Sequence, residues 1–117
     1  MVGMKTIDKK HSLGNCPVAQ ASSLIGDTWV ILIIRELLQE PKRFCELQNA
    51  LIPHQGTKPI NTRTLTQRLK TLEESEIINR KVFAHEMPPK VQYSLTKKGQ
   101  ALSKIVEQIR LYGKKYL

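Results

Sequence analysis

Thr62, Arg63, Thr66, Gln67 and Lys70 stand at i, i+1, i+4, i+5 and i+8, a spacing that gathers them on one side if the segment is helical. Their chemistry is that of a reader of base edges. A guanidinium can grip guanine in bidentate fashion, a carboxamide can grip adenine, and threonines are short enough to let a helix approach a groove closely. Leu65, Leu69 and Leu72 repeat at i, i+4 and i+7 and predict a buried stripe on the opposite side. A second set, Lys58, Arg80, Lys81, Lys90, Lys97 and Lys98, suits phosphates, which supply affinity rather than sequence reading. A polar-basic face alone is also what a merely solvated helix shows. Arg68 borders the leucine stripe and can anchor the helix through a carboxylate as readily as touch DNA.

The charge balance agrees with a polyanionic partner. Over 117 residues, Lys plus Arg is 19 and Asp plus Glu is 10, a formal charge of +9. Residues 1–40 are neutral, with four basic and four acidic groups, whereas residues 41–117 hold 15 basic against 6 acidic ones. A basic segment following a neutral one fits nucleic acid, although a generally solvated basic surface or an anionic membrane surface would look alike. No apolar run reaches the roughly 18 residues of a membrane span, and the N-terminus has no apolar region of signal-peptide type. A cytoplasmic protein with no membrane partner is the expectation.

The two cysteines, Cys16 and Cys45, are then expected to be reduced. Cys16 precedes Pro17, a residue favoured at the first helical position, so its thiol would sit at a helix N-terminus, where thiolate is stabilised. The alternative is a small buried hydrophobe, the common fate of a free cysteine. Cys45 would lie at the edge of a helix's buried face, a second candidate for thiol chemistry. An oxidative bridge from Cys16 to Cys45 of a second subunit would need the Cα atoms within roughly 7 Å. His11, His54 and His85 are isolated, so neither a metal nor a cofactor is expected. Catalysis needs a convergent acid, base or nucleophile. No such set is present, and an enzyme is not expected.

These residues require elements to hold them. Residues 1–14 lack periodicity and read as a flexible arm, and residues 15–117 read as one domain. A helix is expected from Pro17 to a stop at Gly26, with Val18, Ala21, Ser22 and Ile25 on one face. Asp27 caps a second, apolar helix to about Gln39, and Pro41 separates it from a third near Lys42–Leu51. After a loop at 52–60, Asn61 caps the reading helix. Strands follow at 77–84 and 91–95, joined through Pro88 and Pro89. Thr96 caps a last helix, 97–116, in which Leu102, Ile105, Val106, Ile109, Tyr112 and Tyr116 line one side. That side has more apolar positions than a small domain needs, so it serves either the core or a dimer seam. Three helices followed by a hairpin form an α+β, mostly α, winged helix-turn-helix, with a two-stranded wing and flanking terminal helices.

In order along the chain stand Cys16-Pro17-Val18, Leu24-Ile25-Gly26-Asp27-Thr28-Trp29, Ile34-Arg35-Glu36-Leu37, Arg43-Phe44-Cys45-Glu46-Leu47, Leu65-Thr66-Gln67-Arg68-Leu69-Lys70, Pro88-Pro89-Lys90-Val91-Gln92-Tyr93-Ser94-Leu95-Thr96 and Gly99. Together they resemble the HxlR family of bacterial winged-helix transcription regulators, over about residues 16–112. The resemblance implies a homodimer on double-stranded DNA, with a pseudo-palindromic operator and a dimer interface made by the terminal helices. It also implies sensing of oxidants or electrophiles, as in several relatives, through the cysteine at the Cys16 position. The chain departs from the family at Asp27-Thr28, where Gly-Lys is usual, in a longer loop at 53–59, and at Cys45, where relatives carry a small polar residue. A regulator without redox sensing, or a winged helix used for protein contacts, remains an alternative.

Overall fold

The structure, a computed structural model, describes residues 16–52 and 58–117. The expected arm at 1–14, His11, His54 and most of the 53–59 loop lie outside the described residues. Six helices and three strands follow in the order α1 (Pro17–Ile25), α2 (Thr28–Gln39), β1 (Lys42–Arg43), α3 (Phe44–Ala50), α4 (Thr62–Glu74), β2 (Ile78–Phe83), β3 (Lys90–Leu95), α5 (Lys97–Gln100) and α6 (Ser103–Tyr116).

The core is built where the helical period places it. Val30, Ile33, Ile34 and Leu37 of α2 meet Leu47 and Leu51 from α3 and its end. Ile60 before α4, Leu65, Leu69 and Leu72 of α4, Ile77 at the entry to β2, and Ile78, Tyr93 and Leu95 of the hairpin complete it. α2 is less enclosed than its composition suggests, because Ile31, Leu32 and Leu38 stay partly exposed. α1 contributes no buried residue within the chain, and Val18 is 67% exposed, so the face expected there is not covered.

Two expectations require correction. The two-stranded wing is present as β2 and β3, but Lys42 and Arg43, expected to begin the third helix, form a short strand that joins it in the order β1-β3-β2. Lys42 and Arg43 pair antiparallel with Tyr93 and Gln92, and α3 begins only at Phe44. The almost buried Glu36 carboxylate reinforces this attachment, meeting Arg35 at 2.9 Å and Lys42 at 3.9 Å. The expected single helix 97–116 is interrupted at Ala101–Leu102. There the Leu102 N–H bonds back to the Gly99 carbonyl, three residues away, tightening the turn before α6 starts.

Helix caps fix the remaining joints. Asp27 accepts from the Val30 N–H at 3.0 Å, and Asn61 accepts from the Thr64 N–H at 2.7 Å. At α3 the Glu46 carboxylate accepts the Arg43 N–H at 2.8 Å, and that bond, first among its causes, holds the carboxyl below its usual range. The end of α4 is a Schellman motif: Ile77 N–H reaches Leu72 O and Glu76 N–H reaches Glu73 O. Glu76 takes the left-handed position, φ 61°, which glycine would occupy more cheaply. This reversal turns the chain from α4 directly into β2.

Candidate nucleic-acid interface

α4 presents its polar side to solvent. Arg63, Thr66, Gln67 and Lys70 are exposed on an arc of about 100°, opposite the three buried leucines. Among the described residues, no hydrogen bond or ion pair engages the side chain of Arg63, Gln67 or Lys70, so their polar ends are available to a ligand. The threonines are more committed. Thr66 Oγ1 donates to the Thr62 carbonyl at 2.7 Å, and Thr62 Oγ1 accepts from Gln48 Nε2 at 3.0 Å. Gln48, on α3, also donates to the Ile60 carbonyl at 3.3 Å. It thereby clamps the start of α4 against the preceding helix, a role that no local pattern in the sequence reveals.

Arg68 is an anchor. Its Nε lies 2.9 Å from Asp27 Oδ2, so one carboxylate both caps α2 and holds α4. Both side chains are 31% exposed, which limits the pair to about 0.2–1 kcal/mol. A double-mutant cycle of Arg68→Met and Asp27→Ala, read by chemical denaturation, is expected to return a coupling in that range. Asp27→Ala alone should cost about 0.5–2 kcal/mol more because the cap goes with it. Additive losses would show the pair to be energetically idle.

The phosphate candidates divide into two groups. Arg80, Lys97 and Lys98 line one cleft of about 510 Å³ at the corner of α4, β2 and α5, shared with Glu73, Glu76, Asn79 and Thr96. Lys98 Nζ is engaged there, donating to the Ser75 carbonyl at 2.9 Å and so closing the end of α4. Lys90 stands apart near the tip of the hairpin, 3.2 Å from Glu86. Lys81 follows Arg80 on the other face of β2, with its ammonium 5.1 Å from the Phe83 ring centroid. The structure therefore does not bring Arg80 and Lys81 to one face. Lys58 is exposed shortly before α4.

Cys16 occupies the N-cap of α1 in extended conformation and is buried, outside the main core cluster. Cys45 is exposed on α3, and both cysteines are free within the chain. Along the last helix, Leu102 and Val106 pack partly into the core, while Ile105, Ile109, Tyr112 and Tyr116 remain exposed. Those four stand at 4-3-4 spacing and form one apolar stripe, with the rings of Tyr112 and Tyr116 5.0 Å apart. Among the described residues no group of three or more His, Cys, Asp or Glu side chains could hold a metal ion, and no single helix is long and apolar enough to cross a membrane.

Comparison with known proteins agrees with this geometry. The regulator YodB of Bacillus subtilis is 37% identical over 107 residues, covering 89% of each chain. The regulator sll1512 of Synechocystis sp. is 36% identical over 102 residues, 87% of this chain and 70% of that one. Among solved structures, a transcriptional regulator of the MarR family from Porphyromonas gingivalis W83 superposes with a TM-score of 0.79 at 32% identity, over 93% of this chain and all of that one. The redox regulator HypR in its oxidized form gives 0.76 at 35% identity, over 87% and 98%. The quinone-bound form of YodB gives 0.69 at 34% identity, over 86% and 99%. The family described as HxlR-like helix-turn-helix matches residues 24–117, and the chain belongs to it.

Proposed function

We propose that the chain is a homodimeric, sequence-specific DNA-binding transcription regulator whose affinity is switched by thiol chemistry at Cys16. The observation that carries the DNA reading is the exposed arc of α4, where Arg63, Gln67 and Lys70 have unengaged polar ends next to a basic wing. α4 enters the major groove; Arg63 and Gln67 read bases, with Lys70 beside them and Thr62 and Thr66 allowing close approach. Lys58, Arg80, Lys81, Lys90, Lys97 and Lys98 serve the backbone. Ile105, Ile109, Tyr112 and Tyr116 form the seam between subunits, flanked by Leu102 and Val106. A two-fold dimer reading successive major grooves selects a pseudo-palindrome with half-sites about 10 bp apart, or a multiple of that.

The thiol switch is supported by the N-cap placement of Cys16 and by the relatives. HypR is a redox regulator with oxidized and reduced forms, and YodB has diamide-treated and quinone-bound forms. The thiolate is the form of a cysteine that reacts with oxidants and electrophiles. Cys45, exposed on α3, is the candidate partner across the dimer.

Fluorescence anisotropy with DNA from upstream of the chain's own gene, against random DNA at equal salt, tests both parts. Reduced protein is expected to prefer the specific probe, and diamide is expected to change that affinity at least about tenfold, a difference near 1.4 kcal/mol. Cys16→Ser should remove the response. A dimer-sized band on a non-reducing gel, lost in Cys16→Ser and in Cys45→Ser, would identify the intersubunit bridge. Specific binding indifferent to oxidant would leave a regulator without a thiol switch. Binding that survives Arg63→Glu and Lys90→Glu unchanged would favour a winged helix used for protein contacts.

A further inference from the structure

We propose that the tip of the wing is a minor-groove wedge, in which Met87 inserts between base pairs of bound duplex DNA and bends it. The inference rests on the DNA-binding reading above. Met87 is 91% exposed, and among the described residues only the terminal Leu117 is a more exposed large apolar side chain. Core packing therefore does not explain a methionine there.

The tip is a held structure. The Glu86 N–H donates to the Phe83 carbonyl at 3.2 Å, and the Glu86 carboxylate meets the Lys90 ammonium at 3.2 Å across the turn. Pro88 and Pro89 fix φ at two successive positions just after Met87. Val82, 46% exposed on β2 and paired with Val91, extends the apolar surface toward the tip. The hairpin itself carries exposed Arg80, Lys81 and Lys90 against Glu86, while Glu40 and Glu46 share a cleft with Phe83, Glu86 and Lys90 on one face. An apolar tip on a hairpin whose own charge is net basic matches a polyanion with an apolar interior, which is base-paired DNA, better than it matches an apolar protein surface.

The reach is adequate. The hairpin and α4 leave the same corner at residues 75–77. A six-residue strand spans about 20 Å and a 13-residue helix about 20 Å. With α4 in the major groove, the tip arrives at the flanking minor groove. That groove is about 6 Å wide and admits an unbranched side chain rather than a whole hairpin. A thioether cannot serve phosphates as a cation does. It is buried by sliding between base pairs, and apolar wedges of this kind kink the duplex by about 20–90°.

The test uses the full chain and a duplex recovered from a random pool by the wild-type protein, labelled with donor and acceptor dyes at its ends. Wild type is expected to bind and to shift the end-to-end transfer efficiency by an amount matching a bend of at least about 20°. Met87→Ala should bind within a few-fold of wild type but leave the duplex close to straight, and Met87→Leu should restore the bend. A tight but straight wild-type complex, or an equal bend with Met87→Ala, overturns the wedge while DNA reading stands. If no duplex is enriched above random sequence, the DNA reading itself fails and the wedge with it.

Discussion

Arg63→Ala is expected to bind the selected operator about 5- to 150-fold more weakly and to lose preference at one base pair of each half-site, the equivalent of about 1–3 kcal/mol. The side chain stands at the second position of α4, exposed and without a partner among the described residues, so its removal should leave the fold intact. The loss then falls on the complex. Lys90→Ala makes the contrast. Removing a phosphate contact, it is expected to weaken operator and random DNA alike, and to lower the slope of log affinity against log salt by about 1. Anisotropy titrations of both variants on both probes, repeated at two salt concentrations, separate the roles. Equal losses for Arg63→Ala on operator and random DNA would remove it from the readers and leave it a phosphate contact.

The exposure of this face of α4 was legible in the sequence because a helix repeats. The buried stripe of Leu65, Leu69 and Leu72 fixes which way α4 faces, and every polar candidate on the other side emerges exposed. Asp27 and Asn61 were legible for the same local reason, since a cap bonds to a backbone N–H only three residues away. β1 was not, because two residues are too few to show alternation, and its pairing is with Tyr93 and Gln92, far along the chain. Nor were the contacts that orient α4. Gln48 reaches Thr62 and Lys98 reaches Ser75 across 14 and 23 residues, and neither leaves a periodic trace. The break at Ala101–Leu102 escaped for a related reason. Both residues are compatible with helix, and the turn tightens because α5 is tied to the wing. The terminal helices carried apolar residues whose destination the sequence left open, and the structure divides them. Leu102 and Val106 go partly to the core, and Ile105, Ile109, Tyr112 and Tyr116 go to an outward stripe.

Gly99→Ala is expected to be among the most damaging single-methyl additions the chain can receive, at about 3 kcal/mol, the upper end of the usual cost of overpacking. A Cβ at Gly99 would lie 2.3 Å from the Ile77 carbonyl oxygen and 2.9 Å from Leu95 Cδ2. The first of these atoms is backbone and cannot rotate away. The strain therefore falls on the joint where α4, β2 and α5 meet. Thr96 Oγ1 donates there to the Glu76 carbonyl at 2.7 Å and to the Ile77 carbonyl at 3.1 Å, while accepting the Gly99 N–H at 3.0 Å. Pushing α5 away pulls on the carbonyls of Glu76 and Ile77, the two residues whose N–H groups close the Schellman turn of α4. Thermal unfolding should show a midpoint lower by roughly 10–20 °C, given the entropy of unfolding of a domain near this size. A milder consequence should precede unfolding. Because this joint sets the direction of the wing relative to α4, the folded fraction of Gly99→Ala should lose operator affinity more than Thr96→Ser, which keeps the hydroxyl and its three bonds. A melting point within a degree or two of wild type would mean that α5 can shift freely, and that the joint does not hold the wing.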